Sequence, residues 1–349
     1  MSQENGPARD LTNETPQGAP SNRRRRWPWV VGGVAALGLL ALIAGAVGLA
    51  LALGGGGYSS PPTYEEEYVS GDGSDRIAVV PVEGEISSAD STLGGTQPVT
   101  TPEGLEDALR QAGDDDSVAA VILEVNSPGG GVTASDEMHQ AILDFKEKTD
   151  KPVIVSMDDV AASGGYYIST AADEIVANRT TLTGSLGVIL QLNDFSEAAD
   201  KYGIKQQVIK SGKYKDIGNA FRKIKPEERE ILQKIVDENY DQFVSVIVKG
   251  RGLPEKKVRE IADGRIYSGI QAKKLGLVDE FGGLDEAAKV ARKMANIDKA
   301  TVVRYTQPPS LTDTLLATFG PQKPEAVQVM EAAGIDLTPE IKYLYRPGL

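Results

Sequence analysis

The chain has 349 residues, a formal net charge of −13 and no cysteine. Its 40% hydrophobic and 25% charged content is that of a globular protein. Disulfides, thiolate nucleophiles and Cys-ligated zinc are excluded, one histidine makes a His-rich metal site a poor expectation, and the acidic balance argues against nucleic acid as a partner.

Residues 1–26 are polar, aperiodic and rich in Pro, Asn and Arg, and are expected to be a disordered cytoplasmic tail. Residues 27–53, "WPWVVGGVAALGLLALIAGAVGLALAL", carry no charge. As a helix, Val30 to Leu53 would extend about 36 Å, enough for a hydrocarbon core of about 30 Å. "RRRR" precedes the run and Trp27 and Trp29 stand at its edge, so one transmembrane helix is expected. The N-terminus would then be cytoplasmic and everything after residue 53 extracytoplasmic, at the cell membrane. A cleaved signal peptide is the rival, with Ala50-Leu51-Ala52 as its processing site, but the run exceeds the usual apolar core of about 7–15 residues. Residues 54–75, opening "GGGGYSSPPTYEEEY", are expected to be a flexible linker.

From residue 76 strands and helices alternate. "RIAVVPVEGEI" is expected as a strand pair or one long bent strand, "TPEGLEDALRQAGDD" as a helix and "VAAVILEV" as a buried strand, followed by a turn at "SPGGG". "TASDEMHQAILDFKEKT" spaces Ala134, Met138, Ala141, Ile142 and Phe145 as one helix face. The strand "PVIVSM", a turn at Ser163 with a helix behind it, the strand "EIVA", a helix over about 194–202 and the strand "QQVIK" follow. Residues 226–250 and 254–295 read as mainly helical, and 308–349 as a Pro-punctuated C-terminal extension. The alternation implies an α/β domain over 76–307 with a parallel sheet, whose sites belong at strand carboxyl ends. "NSPGGG" and "AASGG" both fall at such ends.

Ser163 occupies a strand-to-helix turn, where α/β hydrolases place a nucleophile, although Ala161 stands where G-x-S-x-G has its first glycine. His139, on the flank of an amphipathic helix, reads as structural, which leaves a Ser-His-Asp triad without support. A lysine can replace the histidine only when neutral, which requires its pKa to fall about 3 units from about 10.4 through burial. Lys205, Lys210, Lys213 and Lys215 are the candidates, and period-two alternation puts Lys213 and Lys215 on one face. Backbone N–H groups of "NSPGGG" are suited to hold an oxyanion.

Taken together, "NSPGGG", "MDDVAASGGYYIS", "TLTGSLGV", "KSGKYKDIG", "KGRGLP" and "ADGRIYSGIQAKKLGLVDE" resemble, in order over most of 76–283, the signal peptide peptidase A family. These are membrane-anchored serine peptidases of the ClpP/crotonase superfamily. The anchor resembles that of the short bacterial form, without the duplicated second domain of the long form. The resemblance implies a ClpP/crotonase-like fold of repeated ββα/βα units behind a single transmembrane helix. It implies Ser163 as nucleophile, Lys215 as general base, Ser185 as the group orienting the lysine, and Gly130 as oxyanion donor, with the Gly164 N–H as a second donor. It implies no cofactor and no metal. Hydrophobic peptides, above all remnant signal peptides, would be the substrates. A homo-oligomeric ring or dome would be the working form; in the short form of the family serine and lysine come from neighbouring protomers, and the sequence is compatible with pairing of Ser163 and Lys215 either within or between protomers. A crotonase-like acyl-CoA enzyme and a catalytically idle membrane scaffold of the same fold are the alternatives. The ending "YLYRPGL", residues 343–349, is apolar and aromatic enough to lie in a peptide groove as a plug.

Overall fold

The computed structural model describes residues 64–88, 99–307 and 341–344, all within a compact unit running from Pro61 to Leu349. The expected transmembrane segment at 27–53 and most of the expected extension lie outside the described residues. Among the described residues no helix is long and apolar enough to cross a membrane.

The sheet begins earlier than expected. β1 (Glu65–Gly71) falls inside the expected linker and pairs antiparallel with β11 (Thr301–Thr306). Tyr64 stacks on Tyr305 at 5.9 Å, an aromatic anchor that the acidic run "EEEY" conceals in the sequence. β2 (Arg76–Ile86) is one strand with a register shift at Glu83/Glu85, so the bent-strand alternative is the observed one. β3 (Val99–Thr100) adds a short pairing at its end. Thr101 caps α1 (Pro102–Asp114), its hydroxyl accepting from the Gly104 N–H at 3.2 Å, with Pro102 in the first turn where no amide is needed.

β4 (Val118–Gly131) departs from expectation. "SPGGG" does not turn the chain; the strand continues through it, pairing Gly129 with Glu85 and Gly130 with Ile86 of β2. The glycines shift the register without reversing direction, and neighbours on both sides keep the backbone hydrogen-bonded. α2 (Val132–Thr149) leads to β5 (Val153–Ala162), which passes through "DDVAA" up to Ser163. Behind it come α3 (Gly164–Ser169), β6 (Glu174–Ala177), β7 (Leu182–Gly184), β8 (Ile189–Leu190) and α4 (Ser196–Lys201).

"QQVIK" is not a strand. Residues 203–210 have no regular structure and are exposed, Ile209 fully so. No sheet edge is offered to them, and apolar alternation alone does not make a strand. The period-two argument that paired Lys213 with Lys215 fails with it. α5 (Pro226–Arg251), α6 (Glu255–Ile261), β9 (Ile266–Ser268), α7 (Gly269–Leu275), β10 (Glu280–Phe281) and α8 (Leu284–Met294) complete the domain, and β12 (Ile341–Leu344) returns to it.

The principal strand order is β1-β11-β2-β4-β5-β6-β10, parallel from β11 onward. This is the α/β architecture expected. β5 forks: its first half pairs with β6 and its last three residues with β7, which β9 joins antiparallel. Both sheet faces are covered. Ile77, Val79, Ala120, Ile122 and Ile154 face the alanines of α8 (Ala287, Ala288, Ala291), while Ala78, Val80, Val121 and Leu123 belong to the larger core beneath α1, α2 and α3. The near-continuous apolar strands of a parallel sheet follow from burial on both faces.

Candidate active site

Ser163 stands at the fork, between the end of β5 and the first residue of α3. Its backbone has φ 53° and ψ −114°, outside the broadly allowed regions for a residue with a Cβ. Hydrogen bonds on both sides hold it there: its N–H donates to the Gly184 carbonyl at 2.8 Å, and its carbonyl accepts from Tyr167 N–H at 2.8 Å. The side chain is 1% exposed and Oγ has no hydrogen-bond partner. A buried polar atom left unpaired costs about 1–3 kcal/mol, and strain of this kind adds a similar amount. Such costs accumulate where a reactive group must be presented.

The glycine edge of β4 lies alongside. A Cβ built on Gly164 would come within 2.5 Å of Ser135 Oγ and 3.1 Å of the Gly130 nitrogen, so the Gly130 and Gly164 amides adjoin in a space that admits no side chain. Gly129, at φ +97°, would place a Cβ 2.5 Å from the Gly164 nitrogen. Two serines fix this edge. Ser127 Oγ donates to the Gly84 carbonyl at 2.6 Å and accepts from Gly129 N–H at 3.1 Å; Ser135 Oγ donates to the Gly131 carbonyl at 2.9 Å. Neither was anticipated from sequence, where each reads as an ordinary turn or helix-start serine.

Ser185 follows β7 directly, and because Ala162 pairs with Gly184, Ser163 and Ser185 leave adjacent strands side by side. Ser185 also has positive φ (51°), held by its N–H on the Arg265 carbonyl at 2.7 Å. Ser163, Gly130 and Gly164 are thus brought together, with Ser185 next along.

Lys215 is not brought to them within one chain. It lies exposed in the irregular segment after α4, and Ser163 Oγ accepts nothing from it. The other lysines of the segment are partly committed: Lys210 pairs with Asp216, and Lys213 lies 3.6 Å from Glu227 and over the Tyr214 ring. Lys205 and Lys215 have no ion pair among the described residues. The segment is tied to α5 by Arg222, which bridges Asp216 at 3.1 Å and the fully buried Glu228 at 2.7 Å. The Arg222 guanidinium holds the Glu228 carboxyl down at about 2.

His139 packs edge-on against Tyr167 at 5.3 Å and is buried. Burial pushes its pKa down to about 4, so it is neutral at ordinary pH, and its Nδ1 has no partner. Its place is structural, as expected. Among the described residues no group of three or more His, Asp or Glu side chains is arranged to hold a metal.

One further element reaches the site. β12 runs antiparallel to the glycine edge, Lys342, Tyr343 and Leu344 pairing with Gly131, Gly130 and Gly129, and its other side pairs with β8. β12 therefore lies along the glycine edge of its own chain; of the segment expected as a plug, only Tyr343 and Leu344 fall within the described residues.

A strained serine at a strand-to-helix turn, with glycine amides beside it at the carboxyl end of a parallel sheet, is the nucleophile-elbow arrangement of α/β serine hydrolases. Comparison with known proteins narrows this. The model of peptidase family S49 matches residues 145–298. A putative signal peptide peptidase SppA of Enterococcus faecium is 36% identical over 71% of this chain and 72% of its own length. A putative protease of Methanocaldococcus jannaschii is 44% identical over 55% of this chain and 61% of its own. The chloroplastic serine protease SPPA of Arabidopsis thaliana is 36% identical over 71% of this chain and 37% of its own. The chain belongs to peptidase family S49, and spans between about a third and three quarters of these relatives. Among solved structures, a ClpP1 mutant from Listeria monocytogenes overlaps 60% of this chain at 20% identity and a TM-score of 0.39, too slight a likeness to bear on fold or assembly.

Proposed function

We propose that the protein is a membrane-anchored serine endopeptidase of Ser-Lys type that degrades remnant signal peptides. The observation that carries the reading is Ser163: strained, buried, its hydroxyl unpartnered, and set beside the Gly130 and Gly164 amides. Ser163 attacks the scissile carbonyl while its proton passes to a neutral Lys215 amine. The developing oxyanion is held by Gly130 N–H and Gly164 N–H, and Ser185 orients the amine. The lysine returns the proton to the leaving amine, then activates the water that hydrolyses the ester.

Lys215 reaches Ser163 of a neighbouring protomer in this reading. Two observations support an inter-subunit pair: Lys215 is exposed in a single chain, and its segment exposes Tyr202, Ile204, Ile209 and Phe221, an apolar surface suited to covering by another copy. Burial at such a contact strips water from the amine and favours its neutral form. Mixing is the test. Ser163→Ala and Lys215→Ala chains, each inactive alone, should regain part of wild-type peptide hydrolysis when co-assembled. Failure of every mixture, with assembly intact by light scattering, would confine the pair to one chain.

The uncharged run at 27–53 supports the anchor and the extracytoplasmic site, where apolar peptides left in the bilayer would meet the enzyme. Because the chain has no cysteine, single introduced thiols report topology directly. A cysteine at residue 10 should resist a membrane-impermeant maleimide on intact cells, and one at residue 256 should react with it. The reverse pattern would remove the proposed orientation.

A further inference from the structure

Just ahead of the site, β4 runs between two mismatches, one on each side. Toward β5, Val125 pairs with Met157 and Ser127 with Ala161, so Asn126 alone faces Asp158, Asp159 and Val160. Toward β2, Asn126 pairs with Glu83 and Gly129 with Glu85, so Gly84 alone faces Ser127 and Pro128. Each mismatch interrupts the ladder and leaves backbone groups that the neighbouring strand does not pair.

Two adjacent side chains and a proline make good the loss. Pro128 stands in the bulge with no N–H to satisfy. Asn126 Oδ1 accepts from the Val160 N–H at 3.3 Å. Ser127, fully buried, spans the other mismatch through its hydroxyl, from the Gly84 carbonyl to the Gly129 N–H. Ser127 also meets the start of α3: a Cβ built on Gly165 would lie 2.8 Å from the Ser127 carbonyl oxygen and 3.4 Å from its Cβ. On the far edge of the β5 bulge, Thr181 Oγ1 donates to the Asp158 carbonyl at 2.7 Å, and Thr183 Oγ1 to the Ala161 carbonyl at 2.6 Å.

The extra residues decide how far each strand has advanced when it reaches the site, and so where the Gly130 amide lies against the Gly164 amide and Ser163. An oxyanion hole works when its donors stand about 2.7–3.1 Å from the developing charge, so a small shift of one strand past the other is felt in the rate. From this geometry we propose that Asn126 and Ser127 are positioning residues for the hydrolysis, which set the two oxyanion donors by locking the mismatched strands. The proposal rests on the peptidase reading and deepens it. Both side chains act through the backbone amides, and the effect belongs to the transition state more than to substrate binding.

Rates and two inhibitors test it on the assembled full chain. Ser127→Ala should lower kcat by on the order of 10–100-fold with KM within about twofold of wild type, a smaller loss than that of a whole donor. Ser127→Cys, a weaker hydrogen-bonding group of similar shape, should fall between the two. Asn126→Ala should lower kcat severalfold, and it carries the test if circular dichroism shows Ser127→Ala to be unfolded. A peptidyl aldehyde, whose hemiacetal with Ser163 puts an oxygen in the hole, should lose affinity in step with kcat/KM across the series. The matching peptidyl alcohol should bind every variant alike. Variants that lose only stability, with kcat and both inhibitors unchanged, overturn the proposal, and so does equal weakening of aldehyde and alcohol. A wild type that neither hydrolyses peptide nor prefers the aldehyde sinks the peptidase reading, and this proposal with it.

Discussion

At the residue scale, Ser163 combines a reactive position with a structural cost. Its φ of 53° is one a glycine adopts without strain, and its hydroxyl is buried without a partner. Ser163→Gly should therefore abolish hydrolysis yet stabilise the fold by about 1 kcal/mol, the relief of strain exceeding the added freedom of the unfolded chain. Denaturant midpoints with an unchanged slope would show it; a loss of stability would mean that the elbow is unstrained. Gly129→Ala should do the opposite, destabilising by more than about 2 kcal/mol, because its φ of +97° and its close neighbours leave no place for a methyl group. His139 gives a pH signature. It is neutral when folded down to about 4, whereas in the unfolded chain it protonates near 6.5. Its contribution is complete above about pH 6.5, declines as pH falls toward 4, and levels off below. The drop is on the order of 3 kcal/mol. His139→Gln should remove that slope from stability measured between pH 7 and 4, and an unaltered slope would assign it to other groups. Ser163 and the glycines could be singled out in the sequence only as a joint pattern, because serine and glycine are common at turns and each motif alone is weakly specific. Ser127, Ser135 and Tyr167 were not, since nothing in the sequence tells a serine that holds a carbonyl from one that faces water.

Elements were legible where periodicity and caps agreed. α1 starts at Thr101-Pro102 and α5 at Pro226, as proline in the first turn would have it. The errors fell where composition suggested one state and pairing decided another. "SPGGG" carries turn chemistry but is held straight by β2 and β12, both remote in sequence. "QQVIK" carries strand chemistry but has no edge to join, and "EEEYVSG" lacks apolar alternation yet finds β11 about 230 residues later. The Lys215 segment depends on the Arg222–Glu228 pair more than on its own propensity. Glu228 titrates at about 2 when paired, below the ordinary glutamate value, so its contribution is complete above about pH 4.3 and is lost as pH falls toward 2. Glu228→Gln should loosen residues 203–223 at neutral pH, seen as faster amide exchange there with the β4 and β5 amides unchanged. Unchanged exchange in the segment would show that the pair does not hold it.

At the scale of the whole molecule, the chain's own β12 pairs with the glycine edge beside Ser163, and Lys215 is exposed with no hydrogen bond to Ser163; in the proposed reading a single chain is a peptidase at rest. Removing residues 343–349 should raise peptide hydrolysis, with the gain mainly in KM if the tail competes with substrate; unchanged kinetics would make it an ordinary packing element. The sequence could name Lys215 only through family resemblance, because Lys205, Lys210, Lys213 and Lys215 crowd one segment and no spacing singles one of them out. The proposed anchor rests on composition alone, an uncharged stretch of membrane length that lies outside the described residues.

The most direct measurement is hydrolysis of a fluorogenic hydrophobic peptide by the assembled wild type, Ser163→Ala and Lys215→Ala across pH. Loss of at least about a thousandfold in both variants, with wild-type activity rising through a pKa well below that of a free lysine, is the expected result. Full activity in Lys215→Ala, or in Ser163→Ala, would contradict the Ser-Lys account.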